Sequence, residues 1–208
     1  MTIAVIGTGR MGSGFVRELV SRGADVVIGA RDAAKAEALA SELGAKVRVA
    51  DVASAVQAAD VVLVALPYGA IAGALQGLKG LAGKVVVDIS NPITDDFQGL
   101  LLGTTTSAAE EIQAALPGAR VVKAFNTIFS QLLPASAREG KSVQVFVAAD
   151  DAAAKSQVQE VARTLGFEPV DAGPLRNSRF LEPVGGMNIH FGFFLGWGPS
   201  TAPAWVRA

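Results

Sequence analysis

Cysteine is absent from this chain, and histidine occurs once, as His190. Without cysteine there can be no disulfide, no thiolate metal centre and no cysteine nucleophile. One histidine leaves no set of imidazoles for a zinc site or for a relay of several histidines. An excess of one charge is missing too: 18 lysines and arginines face 19 aspartates and glutamates, a formal net charge of −1. That balance supplies neither the basic patch that nucleic acid requires nor the cationic face that an anionic membrane attracts. No stretch reads as a membrane span. The uncharged segment from Pro183 to Val206 comes nearest, but Pro199, Pro203, Asn188, Ser200 and several glycines interrupt it. Buried core or a subunit interface is its expected place. The opening "MTIAVIGTG" has no basic segment ahead of its apolar run, so a cytoplasmic address is the expectation.

What the chain has is apolar residues, 50% of 208, enough for the core of one sizeable domain. They fall into short runs: "TIAVIG", "DVVIG", "VVLVAL" (61–66), "KVVVDIS" (84–90), "ARVVKAF" (119–125) and "SVQVFVAA" (142–149). Such runs are strands buried on both faces. Between them apolar residues return at helical spacing. Met11, Phe15, Val16, Leu19 and Val20 precede Gly23; Ala36, Leu39, Ala40 and Leu43 precede Gly44; Ala154, Val158, Val161, Ala162 and Leu165 form a late face. Alternating strands and helices imply right-handed crossovers. The expected fold is a doubly wound α/β domain over 1–208 with a mostly parallel sheet. Residues 177–208 are expected as a helical and irregular extension packed against it.

One turn carries chemistry. "AVIGTGRMGSG" holds Gly7-x-Gly9-x-x-Gly12 between the first strand and the first helix. The first glycine permits the tight turn, the second lets backbone approach a pyrophosphate, and the third lets helix pack on strand. The free N–H groups of the helix start attract phosphate. The same turn can be purely structural, but its place in the first strand–helix–strand unit points to a Rossmann-type dinucleotide site.

The second strand should deliver a ribose-reading residue about 20 residues past the glycines. Ala30 and Arg31 stand there. A carboxylate would accept from both ribose hydroxyls and repel a 2′-phosphate. A small residue followed by a guanidinium makes room for the phosphate and pairs with it. Lys35, one helical turn on, could add a second positive charge. The expectation is NADP(H) rather than NAD(H); the alternative for Arg31 is an ordinary surface charge. Asp32 reads as the N-cap of the second helix.

A second reactant belongs beyond the carboxyl ends of the strands, at the switch point. Leu66-Pro67-Tyr68, Ser90-Asn91-Pro92 and Asn126-Thr127 lie there. They could enclose a flat ring and bond its amide, or the prolines could simply end their strands. No catalytic dyad emerges. Asp95 and Asp96 read as a solvated loop, and His190 in "NIHFGFF" as a packed histidine. Hydride transfer between two bound cofactors needs proximity and stacking more than a proton shuttle.

Together, "GTGRMGSG", "GARDAAKAEA", "VVKAFNTI" and "DAGPLRNSRFLE" resemble the NADPH-dependent reductases of coenzyme F420. The oxidoreductase domains of the transmembrane metalloreductases are related to that family. The resemblance runs over nearly the whole chain. It implies a homodimer that passes hydride between nicotinamide C4 and deazaflavin C5. It places the phosphate loop on Thr8, Gly9, Arg10 and Met11, the 2′-phosphate site on Ala30, Arg31 and Lys35, and a nicotinamide wall on Leu66, Pro67 and Asn91. The tail "GWGPSTAPAWVRA" departs from the pattern where the acceptor pocket would form. A flavin acceptor therefore stays open beside F420, as do a ferric reductase and a non-catalytic NADP(H)-sensing module. A β-hydroxyacid dehydrogenase is disfavoured, because too few residues remain for its helical second domain.

Overall fold

The structure, a computed structural model, describes residues 1–44, 47–138 and 140–206. Strands β1 (Thr2–Ile6), β2 (Asp25–Gly29), β3 (Val47–Ala50), β4 (Val61–Val64), β5 (Val85–Asp88) and β6 (Arg120–Lys123) form one sheet. Its order is β3-β2-β1-β4-β5-β6, and every pairing is parallel. The order reverses between β1 and β4, where Ile6 sits beside Val64. This is a mostly parallel, doubly wound sheet of the Rossmann type.

Alternation along each strand builds two cores, because successive side chains leave opposite faces. Ile3, Val5, Val26, Ile28, Leu63 and Val87 face α1 (Arg10–Ser21), α2 (Ala33–Leu43) and α6 (Ala152–Thr164). Ala4, Ile6, Val27, Val62, Val64 and Val86 face α3 (Val52–Ala58), α4 (Tyr68–Leu75) and α5 (Ala108–Ala115). The helical faces read from the sequence are the ones that pack: Phe15, Val16 and Leu19 of α1 and Val158, Val161 and Ala162 of α6 are buried.

Two strands went unread, β3 and β8 (Glu168–Asp171), and "SVQVFVAA" forms a different sheet from the one expected. Its central part, β7 (Gln144–Val147), pairs in parallel with β8 in a separate two-stranded sheet. It touches the large sheet through one antiparallel bridge, Lys123 with Ala148. From Leu175 the chain makes a short 3-10 turn, then α7 (Ser178–Ile189) and a π-helical turn, His190–Phe194. An irregular tail follows and returns to β7, where Trp205 N–H donates to Gln144 Oε1 at 2.7 Å. No helix among the described residues is long and apolar enough to cross a membrane.

Candidate functional site

The three glycines of the turn are held for different reasons. Gly7 has φ +107°, and a Cβ there would lie 2.7 Å from the Ala65 carbonyl oxygen. A Cβ on Gly12 would run into the carbonyl of Gly7, so the first and third glycines are demanded by the fold itself. Gly9 is different: a Cβ there would meet nothing within 4 Å. Its side faces open space, which leaves room for a ligand to lie against the backbone. Gly9 is also the N-cap of α1 and brings no side-chain cap. The N–H groups of the first turn, which have no intrahelical acceptor, are thus left for an anion.

At the end of β2, Ala30 is half-buried and Arg31, Asp32 and Lys35 are exposed. They share a cleft of about 530 Å³ with Gly7, Thr8 and Leu66. Asp32 caps α2 by accepting the Lys35 N–H at 3.1 Å, and that bond holds its carboxyl below the usual carboxylate range. Its other oxygen lies 3.4 Å from Lys35 Nζ. Arg31 makes no ion pair among the described residues.

A second cavity, of about 560 Å³, opens on the other side of the turn, with Arg10, Met11, Asn91, Asn126, Phe129 and Gly185 on its walls. Its floor is a pair of amides. Asn91 Nδ2 donates to the Asn126 carbonyl at 2.7 Å, and Asn126 Nδ2 donates to Asn91 Oδ1 at 2.9 Å and to the Leu181 carbonyl at 2.8 Å. The chain reaches this geometry through Phe125, which is left-handed at φ 60°. Such a conformation costs of order 1–3 kcal/mol in a non-glycine residue and needs its surroundings to impose it. Here the ring is wedged edge-on against Phe15 and Phe167, at 5.1 and 6.0 Å between centroids. Asn126 Oδ1 and Thr127 Oγ1 are buried without a partner. A buried polar atom left unpaired costs about 1–3 kcal/mol, so this wall stores an unmet demand for hydrogen bonds.

Beneath the amides lies a charge cluster that the sequence reading missed. Lys123, fully buried on β6, places Nζ 2.8 Å from Asp88 Oδ2, 2.8 Å from Glu182 Oε1 and 2.6 Å from the Ser90 carbonyl. Glu182 comes from α7 and also accepts the N–H groups of Ala108 and Ala109, at the start of α5. One lysine and one aspartate inside otherwise apolar runs were the available signal.

The structure thus divides the expected site residues. Gly7, Thr8, Ala30, Arg31, Lys35 and Leu66 share the cleft, and Arg10, Met11 and Asn91 share the larger cavity. Gly9 and Gly12 shape the turn between them. Pro67 lines neither; it is the exposed N-cap of α4. His190 is partly buried, with Nε2 3.0 Å from the Phe97 carbonyl and its ring stacked on Phe194.

Parallel strands in this order, with a glycine-rich turn at the reversal, define the class: a Rossmann-type α/β fold. Residues 2–92 match the family described as NADP oxidoreductase, coenzyme F420-dependent. The F420-dependent NADP reductase of Methanothermobacter marburgensis is 32% identical over 200 residues, covering 88% of this chain and 89% of that protein. A crystal structure from Arthrobacter sp. FB24, provisionally described as an F420-dependent NADP reductase, is 32% identical. It superposes with a TM-score of 0.84 over 93% of this chain and 94% of that one. Metalloreductase STEAP3 of Rattus norvegicus is 32% identical over 182 residues, and the chain spans only 36% of its length. This chain belongs to the family of F420-dependent NADP oxidoreductases.

Proposed function

We propose that this protein passes hydride between NADP(H) and a deazaflavin or flavin-type acceptor. The observation that carries the reading is the pair of cavities flanking one glycine turn, a cationic cleft on one side and an apolar, amide-floored chamber on the other. The first-turn N–H groups of α1 and the open face of Gly9 take the pyrophosphate. Ala30, Arg31 and Lys35 take the 2′-phosphate, and Leu66 and Asn91, one from each cavity, border the nicotinamide. NADPH supplies a hydride from nicotinamide C4. The chain's part is to bring two flat rings together and keep water away from them. Met11, Ile128 and Phe129 supply apolar wall, and the interlocked amides of Asn91 and Asn126 fix the floor.

The tail leaves Phe193 57%, Leu195 58% and Trp197 64% exposed. Large apolar groups clustered in this way are covered in a homodimer, whose twofold interface adjoins the acceptor chamber.

The test is a parallel spectrophotometric assay of NADPH oxidation with coenzyme F420, FMN, FAD and riboflavin. Turnover with F420 supports the deazaflavin form of the reading, and turnover with an ordinary flavin alone supports the form akin to the metalloreductase domains. NADPH binding with no oxidation in any arm defeats the enzyme reading and leaves an NADP(H)-sensing module. Light scattering that shows a monomer at micromolar concentration defeats the dimer.

A further inference from the structure

The glycine turn carries one side chain to which the function proposed above gives no task, because the phosphate loop there acts through its main-chain N–H groups. Arg10 is exposed at the start of α1, and it lines the larger cavity rather than the cleft of Arg31 and Lys35. Among the described residues it is the only charged one on that wall. The other lining residues are apolar or carry uncharged amides and hydroxyls. Among the described residues its guanidinium makes no ion pair. Only its main-chain carbonyl is engaged, by Ser13 Oγ at 3.3 Å.

The pyrophosphate of a dinucleotide is served by main-chain N–H groups of such a turn and needs no side chain. The guanidinium is therefore available to the chamber it borders. The chamber's floor and rim, built from Asn91, Asn126, Phe129 and Phe193, suit an uncharged ring with polar edges. The same wall holds the unpartnered Asn126 Oδ1 and Thr127 Oγ1, on residues only 6% and 2% exposed. A lone cation at the solvent-exposed edge of such a chamber matches an anion carried outside the ring.

Resting on the function proposed above, we infer that Arg10 selects second substrates whose ring carries a phosphate or phosphodiester side chain, against the same ring without one. Two pairs of probes differ in that respect: FMN against riboflavin, and coenzyme F420 against its 8-hydroxy-5-deazaflavin core lacking the tail. Each is titrated by fluorescence into protein saturated with NADP+, for wild type, Arg10→Ala and Arg10→Lys.

One charge-assisted hydrogen bond at an exposed edge gives roughly a tenfold preference for the anionic member of a pair. Arg10→Ala abolishes it by weakening that member alone, and Arg10→Lys retains part. Raising salt shrinks the preference in wild type. The inference is overturned if the preference survives Arg10→Ala or is absent from wild type. It is equally overturned if Arg10→Ala weakens NADP+ as much as the anionic probe, which assigns the guanidinium to the pyrophosphate. Binding of no ring in either pair defeats the acceptor reading itself, and the role of Arg10 with it.

Discussion

Replacing Arg31 with alanine separates the two nicotinamide cofactors if the cleft beside β2 reads a 2′-phosphate. A hydrogen bond between charged groups contributes about 1.5–3 kcal/mol. Arg31 is exposed, so water and salt screen the pair and the lower half of that range applies. Lys35 remains in Arg31→Ala, but Asp32 lies 3.4 Å from its ammonium and competes with the phosphate for it. A loss of about 1.5–2 kcal/mol is a weakening of NADPH by roughly 12- to 30-fold. NADH has no phosphate at that place and should change less than about twofold. Ala30→Asp should go further, repelling the phosphate while offering the ribose hydroxyls an acceptor. The assay is calorimetric or fluorescence titration of both cofactors at two salt concentrations, with the NADPH effect shrinking at the higher one. Equal losses for NADPH and NADH in Arg31→Ala would mean that the side chain supports the adenine or the loop, and the assignment to NADP(H) would fall.

Other outcomes follow from neighbouring geometry. Asp32→Asn keeps a side-chain cap on α2, since asparagine caps as well as aspartate, and removes the charge that holds Lys35; titration should show tighter NADPH binding at unchanged denaturation midpoint. Gly9→Ala faces open space at φ −70°, so stability should stay within about 0.5 kcal/mol of wild type while NADPH binding weakens. Gly12→Ala drives a methyl into the Gly7 carbonyl and should cost about 1–3 kcal/mol or more in chemical denaturation. Lys123→Met strands Asp88 and Glu182 as buried carboxylates and should lower stability by about 3–5 kcal/mol. Glu110 accepts two bonds from Arg179, at 2.7 and 2.8 Å, which hold its carboxyl below its ordinary value. That tie between α5 and α7 is present above the ordinary carboxylate range and is lost as pH falls through the lowered value; tryptophan fluorescence in an acid titration should report loosening of the tail there, and Glu110→Gln should remove the transition.

Local chemistry was legible in the sequence. The first strand, turn and helix, the cap at Asp32 and the buried faces of α1 and α6 all rest on spacings within a dozen residues, where periodicity and capping act directly. β3 escaped because Arg48 interrupts its four residues. β8, "EPVD", carries two acids and a proline, and it is a strand only because β7 lies beside it. The placement of β7 failed for a related reason. An apolar run declares that it is a strand but not which edge it joins, and here a single bridge at Lys123 ties the small sheet to the large one.

The larger cavity shows how far such long-range closure reaches. Register sets Asp88 of β5 beside Lys123 of β6, and a lone buried pair of that kind repays its desolvation only when its remaining bonds are met. Glu182 meets them from the tail, sharing the ammonium and giving both oxygens to the first turn of α5. That fixes α7 against the sheet. Gly185 then lies three residues further along the helix, where a Cβ would sit 2.9 Å from Asn126 Nδ2 and closer still to the Asn91 amide. The floor of the chamber is thus held from beneath by a salt-bridge cluster and from the side by a helix that only a glycine lets approach. Each residue of that arrangement is ordinary in its own stretch of sequence. A lysine in a strand, a glutamate in a tail and a glycine in a helix acquire meaning only when the fold brings them to one end of the sheet.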